Sequence, residues 1–204
     1  MALRWKYESV VTAFLENQIP PAELPEITVL GRSNVGKSSL INKLAGQKIA
    51  RSSGTPGKTR SINFFRLVGK NPFYLVDLPG YGYSAVSQET RNSWKRLVDA
   101  YSNRSAAVLH LHLVDFRHGF LKADEQLRDW LAHQEAPTAI VFTKSDKIPR
   151  GKWKNLLSSY YKGQQPAFVT SAETGTGVDE LRQFLEDYVD QSIASDTPRR
   201  NDDE

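Results

Sequence analysis

Gly31-Arg-Ser-Asn-Val-Gly-Lys-Ser38 carries the spacing G-x-x-x-x-G-K-[ST] of a phosphate-binding loop. Its glycines let successive backbone N–H groups curl around a phosphate. Lys37 then reaches the β- and γ-phosphates, and the Ser38 hydroxyl can ligate Mg²⁺. At ordinary glycine frequencies, a chance match in a chain this long is on the order of one in a hundred. The flanks strengthen the match. Ile27-Thr-Val-Leu30 reads as a short buried strand, and Ser38-Ser39-Leu-Ile-Asn-Lys-Leu-Ala45 reads as a helix that stops at Gly46. Strand, glycine loop and helix, in that order, place a phosphate at a helix N-terminus.

Working outward, strand-like runs follow at 62–68, 73–77, 107–115, 138–143 and 167–170. Helical stretches are expected at 38–45, about 87–102, 122–134, 151–161 and 177–189. In the last of these, Leu181, Phe184, Leu185 and Tyr188 share one face. Only Gly69-Lys-Asn-Pro72 separates 62–68 from 73–77, which suits an antiparallel hairpin and is too short for a crossover helix. The expectation is a three-layer α/β fold. Its sheet is mostly parallel and six-stranded, with one antiparallel edge strand and helices on both faces. Residues 1–26 form a lead-in packed on the domain, where Pro20, Pro21 and Pro25 forbid a continuous helix. Residues 27–191 form the domain. Residues 192–204 lack apolar periodicity and are expected to be disordered.

A chain of 204 residues, 39% hydrophobic and 25% charged, suits one soluble domain. No run reaches the length of a membrane span and the N-terminus lacks an apolar signal core, so a cytoplasmic location is expected. With no cysteine, disulfides and thiolate metal sites are excluded. A net charge of +4 hints at an anionic partner such as RNA, or else at an ordinary solvated basic surface.

Three further stretches fit a nucleotide. Strand 73–77 ends in Asp77-Leu78-Pro79-Gly80. An Asp at the carboxyl end of a parallel strand faces the ligand crevice, where it can hold Mg²⁺ through water, and Gly80 can offer its N–H to a γ-phosphate. Strand 138–143 ends in Thr143-Lys144-Ser145-Asp146. The Asp146 carboxylate can accept guanine N1–H and N2–H₂, a pair that adenine lacks, and so selects GTP over ATP. The Lys144 stem can cover the base. The last strand runs into Val169-Thr170-Ser171-Ala172, whose N–H groups can meet guanine O6. Between the first helix and strand 62–68 lies a loop rich in Gly, Ser, Thr and Pro that includes Gly57-Lys58-Thr59-Arg60-Ser61. Thr55 and Thr59 compete to complete the Mg²⁺ shell and close over the γ-phosphate, and Thr59, flanked by Gly57-Lys58 and close to the following strand, is favoured.

With these residues in place, the chain resembles the EngB (YihA/YsxC) family of bacterial GTPases. The resemblance rests on five stretches. They are Gly31–Asn42, Gly54-Thr-Pro-Gly-Lys-Thr59, Asp77-Leu-Pro-Gly-Tyr-Gly-Tyr83, Val114-Asp-Phe-Arg-His118 and Thr143-Lys-Ser-Asp-Lys-Ile-Pro-Arg-Gly-Lys-Trp153. It implies a P-loop GTPase domain with GTP or GDP as ligand and Mg²⁺ as cofactor, held by Ser38 and Thr59. It also implies a role in assembly of the large (50S) ribosomal subunit, with precursor rRNA and ribosomal proteins as partners. A monomer and a link to septation in cell division are implied too. Thr143 stands where most GTPases carry Asn; its hydroxyl can still tie this loop to the phosphate loop, with fewer hydrogen bonds.

Hydrolysis needs positioning and charge neutralisation, from Lys37 and from Mg²⁺ on Ser38 and Thr59. Ras-like enzymes orient water with a Gln just after D-x-x-G, but here Tyr81 follows. Turnover is therefore expected to be slow, about the 10⁻⁴–10⁻³ s⁻¹ of an unassisted Ras-type enzyme. The missing charge could come from K⁺ held by the Asn34 carbonyl, as in related GTPases with Asn at this place, or from the partner. Alternatively, Asn34 merely fits the turn. Basic side chains gather near the switches (Arg51, Lys58, Arg60, Arg91, Lys95, Arg96) and after the base-recognition loop (Lys147, Arg150, Lys152, Lys154, with Trp153). They would make a docking surface whose shape depends on GTP.

His110 and His112 alternate on a buried strand and read as core residues, and His118 stays unassigned. Trp5, Trp94 and Trp130 read as packing or surface residues. Ser38 and Ser39 lack a His–acid partner and are not nucleophiles. Two rival readings are a P-loop metabolic kinase, against which Asp146 argues, and a constitutive interaction protein that holds GTP structurally.

Overall fold

Strands and helices alternate along most of the chain, and the first strand comes earlier than the sequence pattern suggests. The computed structural model describes residues 4–51, 61–80, 88–104, 106–163 and 165–196, with backbone alone at 88–94 and 196. The strands are β1 (Lys6–Ala13), β2 (Glu26–Gly31), β3 (Ile62–Val68), β4 (Pro72–Asp77), β5 (Ala107–Asp115), β6 (Thr138–Thr143) and β7 (Ala167–Val169). The helices are α1 (Lys37–Ala45), α2 (Gln88–Ser102), α3 (Lys122–Leu131), α4 (Trp153–Tyr160) and α5 (Val178–Asp196).

The sheet order is β1-β3-β4-β2-β5-β6-β7. From β4 through β7 the neighbours are parallel; β3 runs antiparallel to β4 and to β1. Among the described residues the sheet therefore has seven strands where the sequence predicts six, and the antiparallel strand lies second from the edge. The lead-in supplies the additional strand. Lys6-Tyr-Glu-Ser-Val-Val-Thr-Ala13 is β-branched and free of proline, and its register against β3 runs from Lys6–Val68 to Ala13–Ile62. The prolines that rule out a helix all lie after it.

Two faces of this sheet bury different residues. On one, α1 and α5 pack Ile41, Leu44, Leu181, Leu185 and Val189 against Ile27, Val29, Leu111 and Val141. On the other, α2 and α3 pack Leu97, Tyr101, Leu127 and Leu131 against Leu30, Phe64 and Val76. Further along that face, Trp153, Leu157 and Tyr160 of α4 lie on Phe116 and Phe142. Each fully buried aliphatic or aromatic side chain contributes about 1.5–3 kcal/mol, so these layers fix how strand ends meet helix starts.

Helix α5 extends beyond the expected 177–189 to Asp196, because Ile193 continues the four-residue spacing of Leu185 and Val189 onto the same core. Part of the segment expected to be disordered is thus helical; residues 197–204 lie outside the described residues. Arg182 of α5 joins three parts of the fold. Its Nε donates to the Leu44 carbonyl and its Nη2 to the Lys43 carbonyl, both at 3.1 Å, and its guanidinium lies over the Trp5 ring. Those carbonyls belong to the last turn of α1, where intrahelical partners run out. Gly46 ends α1 in the left-handed region, with φ +70°.

Candidate nucleotide-binding site

The phosphate loop leaves β2 at Gly31 and enters α1 at Lys37. Three features hold its curve. A Cβ at Gly31 would lie 2.8 Å from Val35 Cγ1 and 3.0 Å from the Leu113 carbonyl, so only glycine fits there. Asn34 (φ +59°) and Gly36 (φ +110°) both occupy the left-handed region, which Asn tolerates better than most side chains. The Val35 N–H donates back to the Arg32 carbonyl at 3.2 Å. The first i→i−4 bond entering α1 runs from Leu40 N to the Gly36 carbonyl, at 2.9 Å. The amides of Lys37, Ser38 and Ser39 precede it and stand at the positive end of the helix dipole, an arrangement that suits an anion.

Asp77 ends β4 beside Lys37. Burial pushes its carboxyl up to about 6, and the Lys37 charge opposes that only in part. Burial in turn pushes Lys37 below the usual lysine range, against the pull of Asp77. Asp77 Oδ1 is buried without a hydrogen bond among the described residues. An ionisable oxygen in that condition suits a hydrated cation. Gly80 closes the same corner: a Cβ there would lie 3.0 Å from Lys37 Nζ and 3.1 Å from the Ser33 nitrogen.

At the other end, the Ser171 hydroxyl donates to Asp146 Oδ1 at 2.6 Å, and Lys147 Nζ lies 3.0 Å from Oδ2. The Ser171 bond, helped by Lys147 and opposed by burial, holds the Asp146 carboxyl below its usual range. Ser171 Oγ also accepts the Thr174 N–H at 3.1 Å, and Ser145 N donates to the Thr170 carbonyl at 3.1 Å. Between the two ends runs a cleft of about 580 Å³, lined by Gly36, Ser39, Lys43, Thr143, Lys144, Asp146, Thr170 and Ala172. It has room for a nucleoside phosphate with its phosphates on the loop and its base at Asp146.

The base loop and the phosphate loop are bonded to each other. Thr143 Oγ1 donates to the Val35 carbonyl at 2.6 Å. Lys144, itself left-handed at φ +60°, donates from Nζ to the Asn34 carbonyl and to Asp115 Oδ2. Asp115 also accepts the backbone N–H, Nε and Nη2 of Arg117. Burial alone would raise the Asp115 carboxyl, but these donors outweigh it and hold it well below the usual range.

The structure thus brings Gly31–Ser39, Asp77–Gly80, Thr143–Asp146 and Val169–Ala172 to the carboxyl ends of β2, β4, β6 and β7. Ser61 is buried at the start of β3. Leu78 and Val35 are buried, so only their backbone can face a ligand. The Arg32 side chain turns away from the cleft and donates from Nε to Asp124 of α3 at 2.9 Å. Thr55, Gly57, Lys58, Thr59, Arg60 and Tyr81 lie outside the described residues, as do the side chains of Arg91 and Trp94. His110 and His112 are buried core residues; His110 Nδ1 lies 2.6 Å from the Thr28 hydroxyl. Trp5 is buried and Trp130 half-buried, while His118 is exposed beyond the end of β5.

Sequence reasoning assigned no role to Asp115, Arg117 or Asp124. Asp115 and Arg117 stand in the Val114–His118 stretch that carried the family resemblance, which was a usable signal. Asp124 had none, because an Asp in the first turn of a helix is ordinary.

Residues 26–144 match the family described as 50S ribosome-binding GTPase. A protein named "Probable GTP-binding protein EngB" in Anoxybacillus flavithermus is 41% identical over 189 residues, covering 89% of this chain and 97% of that protein. Its namesake in Syntrophomonas wolfei is 43% identical over 178 residues, covering 85% of this chain and 91% of the other. A crystal structure of a "probable GTP-binding protein engB" superposes with a TM-score of 0.62 at 25% identity, over 81% of this chain and 99% of that one. Among the described residues, no helix is long and apolar enough to cross a membrane.

Proposed function

Because the chain belongs to the EngB family of GTP-binding proteins and GTPases, we propose that it is a nucleotide-gated factor in assembly of the large ribosomal subunit, reset by slow GTP hydrolysis. One observation carries the proposal. Lys147, Arg150, Lys152 and Lys154 are exposed and follow directly on Asp146, so the base-recognition loop continues into a cationic surface. Lys95 and Arg96, exposed on α2, add a second cationic site. Such surfaces suit the phosphate backbone of precursor rRNA.

In this reading the amides of Gly31–Ser39 cradle the phosphates, Lys37 neutralises their charge, and Asp146 with Ser145 and Ala172 selects guanine. Mg²⁺ fits the Ser38 hydroxyl and the buried Asp77 oxygen, which has no hydrogen bond among the described residues; Thr59 as second ligand rests on the family resemblance. When bound, Mg²⁺ neutralises charge developing on the β- and γ-phosphates. Gly57–Ser61 and Leu78–Gly80 would close over the γ-phosphate, Val169 and Thr170 would support the base pocket, and Tyr81 leaves the attacking water without the Gln of Ras-like enzymes. The Asn34 side chain is exposed at the loop apex, where its carbonyl can reach K⁺. A cytoplasmic monomer fits this role, and a septation defect would follow from failed ribosome assembly.

GTP turnover measured alone and with large-subunit precursor particles tests the proposal. Slow turnover alone, raised by the particles, is expected. Particles that neither bind nor alter turnover in any nucleotide state would overturn it.

A further inference from the structure

The two halves of the phosphate loop hang from different elements. The rear half is tied to the β6 loop, through Thr143 to the Val35 carbonyl and Lys144 to the Asn34 carbonyl. The front half is tied to α3. Arg32 Nε donates to Asp124 Oδ2 at 2.9 Å, and the same oxygen accepts the backbone N–H of Leu121 at 2.9 Å. The other carboxylate oxygen, Oδ1, lies 3.8 Å from His112 Nε2 on β5. The Asp124 side chain is 0% exposed and that of Arg32 is 23% exposed.

We propose that Asp124 is a positioning residue for the nucleotide: acting through Arg32, it holds Gly31–Ser33 in the shape whose amides meet a phosphate, and so lengthens the dwell of bound GDP and GTP. Asp124 itself is not among the residues that line the cleft. A guanidinium–carboxylate bond shielded from water is stronger than a neutral hydrogen bond, and either partner left alone in that setting is costly. Arg32 is therefore committed to one direction. Its neighbour Gly31 leaves no room for a side chain, since a Cβ there would meet Val35 and Leu113. The anchor lies in the first turn of α3, and the same helix, at Ala123 beside it and at Leu127 one turn on, lines an apolar cavity of about 360 Å³ with Leu78 and Pro79. One helix thus braces the phosphate loop and borders the strand end that carries Asp77. Displacing α3 loosens the grip on nucleotide without any contact to it.

The inference rests on 31–38 being the phosphate site, and the experiment separates the two. The rate of GDP release is measured by chase of a fluorescent GDP for wild type, Asp124→Asn and the double variant Arg32→Ala/Asp124→Asn, with melting temperatures alongside. Asn keeps an oxygen for the Leu121 N–H, and neither variant leaves a buried carboxylate unpaired. Release about tenfold faster in Asp124→Asn is expected, because the oxygen that accepts both Leu121 N–H and Arg32 Nε loses its charge, with at most a few-fold further change in the double variant. Release within twofold of wild type, even with a lowered melting temperature, would make Asp124 merely structural and overturn the inference. So would a double variant that releases GDP far faster than Asp124→Asn. Lys37→Ala serves as the control: if it kept wild-type GDP affinity, the phosphate-loop assignment itself would fall.

Discussion

Ser171 donates a 2.6 Å hydrogen bond to Asp146 Oδ1, fixing the carboxylate at the end of the nucleotide cleft. The bond keeps Asp146 ionised and sets its direction. An oriented, ionised carboxylate accepts two guanine N–H groups and finds no such pair on adenine. Replacing it by an amide puts a donor where guanine also donates. Asp146→Asn is expected to lose GDP affinity at least tenfold and to prefer xanthosine nucleotides, measured by competition against a fluorescent GDP. Unchanged guanine preference would contradict the assignment.

Thr143 carries the bond between the two loops, at 2.6 Å from the Val35 carbonyl. Thr143→Val keeps the shape but removes the donor and leaves a buried carbonyl unpaired, a loss of about 1–3 kcal/mol. Faster GDP release with a lower melting temperature is expected. Thr143→Ser, which retains the hydroxyl, should stay within a few-fold of wild type.

His110 gives a pH dependence with a definite sign. Burial pushes its pKa from 6.5 down to about 4. The folded state then binds fewer protons than the unfolded state, so this contribution to stability is complete above pH 6.5 and is lost as pH falls towards 4, by up to about 3 kcal/mol. Asp77 slopes the opposite way. Its carboxyl rises from 3.8 to about 6, so the folded state holds that proton more tightly. Urea unfolding of nucleotide-free wild type and His110→Gln isolates the histidine. The difference between the two curves is expected to change across pH 4–6.5, and parallel curves would contradict it.

Asn34 carries the K⁺ hypothesis, and its left-handed backbone offers a competing reason for Asn at this position. GTP turnover in matched KCl and NaCl decides between them. Several-fold faster turnover in KCl, lost in Asn34→Gly, is expected for a ligand. Equal rates in the two salts leave only the turn.

Much of this site was legible because short-range chemistry wrote it. The glycine spacing of 31–38, Asp77 at a strand end and Asp146 after β6 are each constrained by a ligand, and a ligand tolerates few residue types. β1 was harder to read. An eight-residue strand with an exposed face has weak alternation, and its pairing with β3 is set by register across the sheet. The ends of α5 depended on Ile193 finding the core, a tertiary event. The Arg32–Asp124 pair could not be read at all, since a separation of ninety-two residues leaves no local trace. Its position in the motif places Arg32 at the nucleotide, and its side chain instead serves α3.

Co-sedimentation with large-subunit precursor particles tests the central claim most directly, using a non-hydrolysable GTP analogue, GDP and no nucleotide at one fixed salt concentration. Salt must be held constant because phosphate contacts weaken steeply as it rises. Binding is expected to be several-fold stronger with the GTP analogue than with GDP, and to weaken when Lys147, Arg150 and Lys152 are replaced together by Ala. Equal binding in all three nucleotide states would contradict a nucleotide-gated factor.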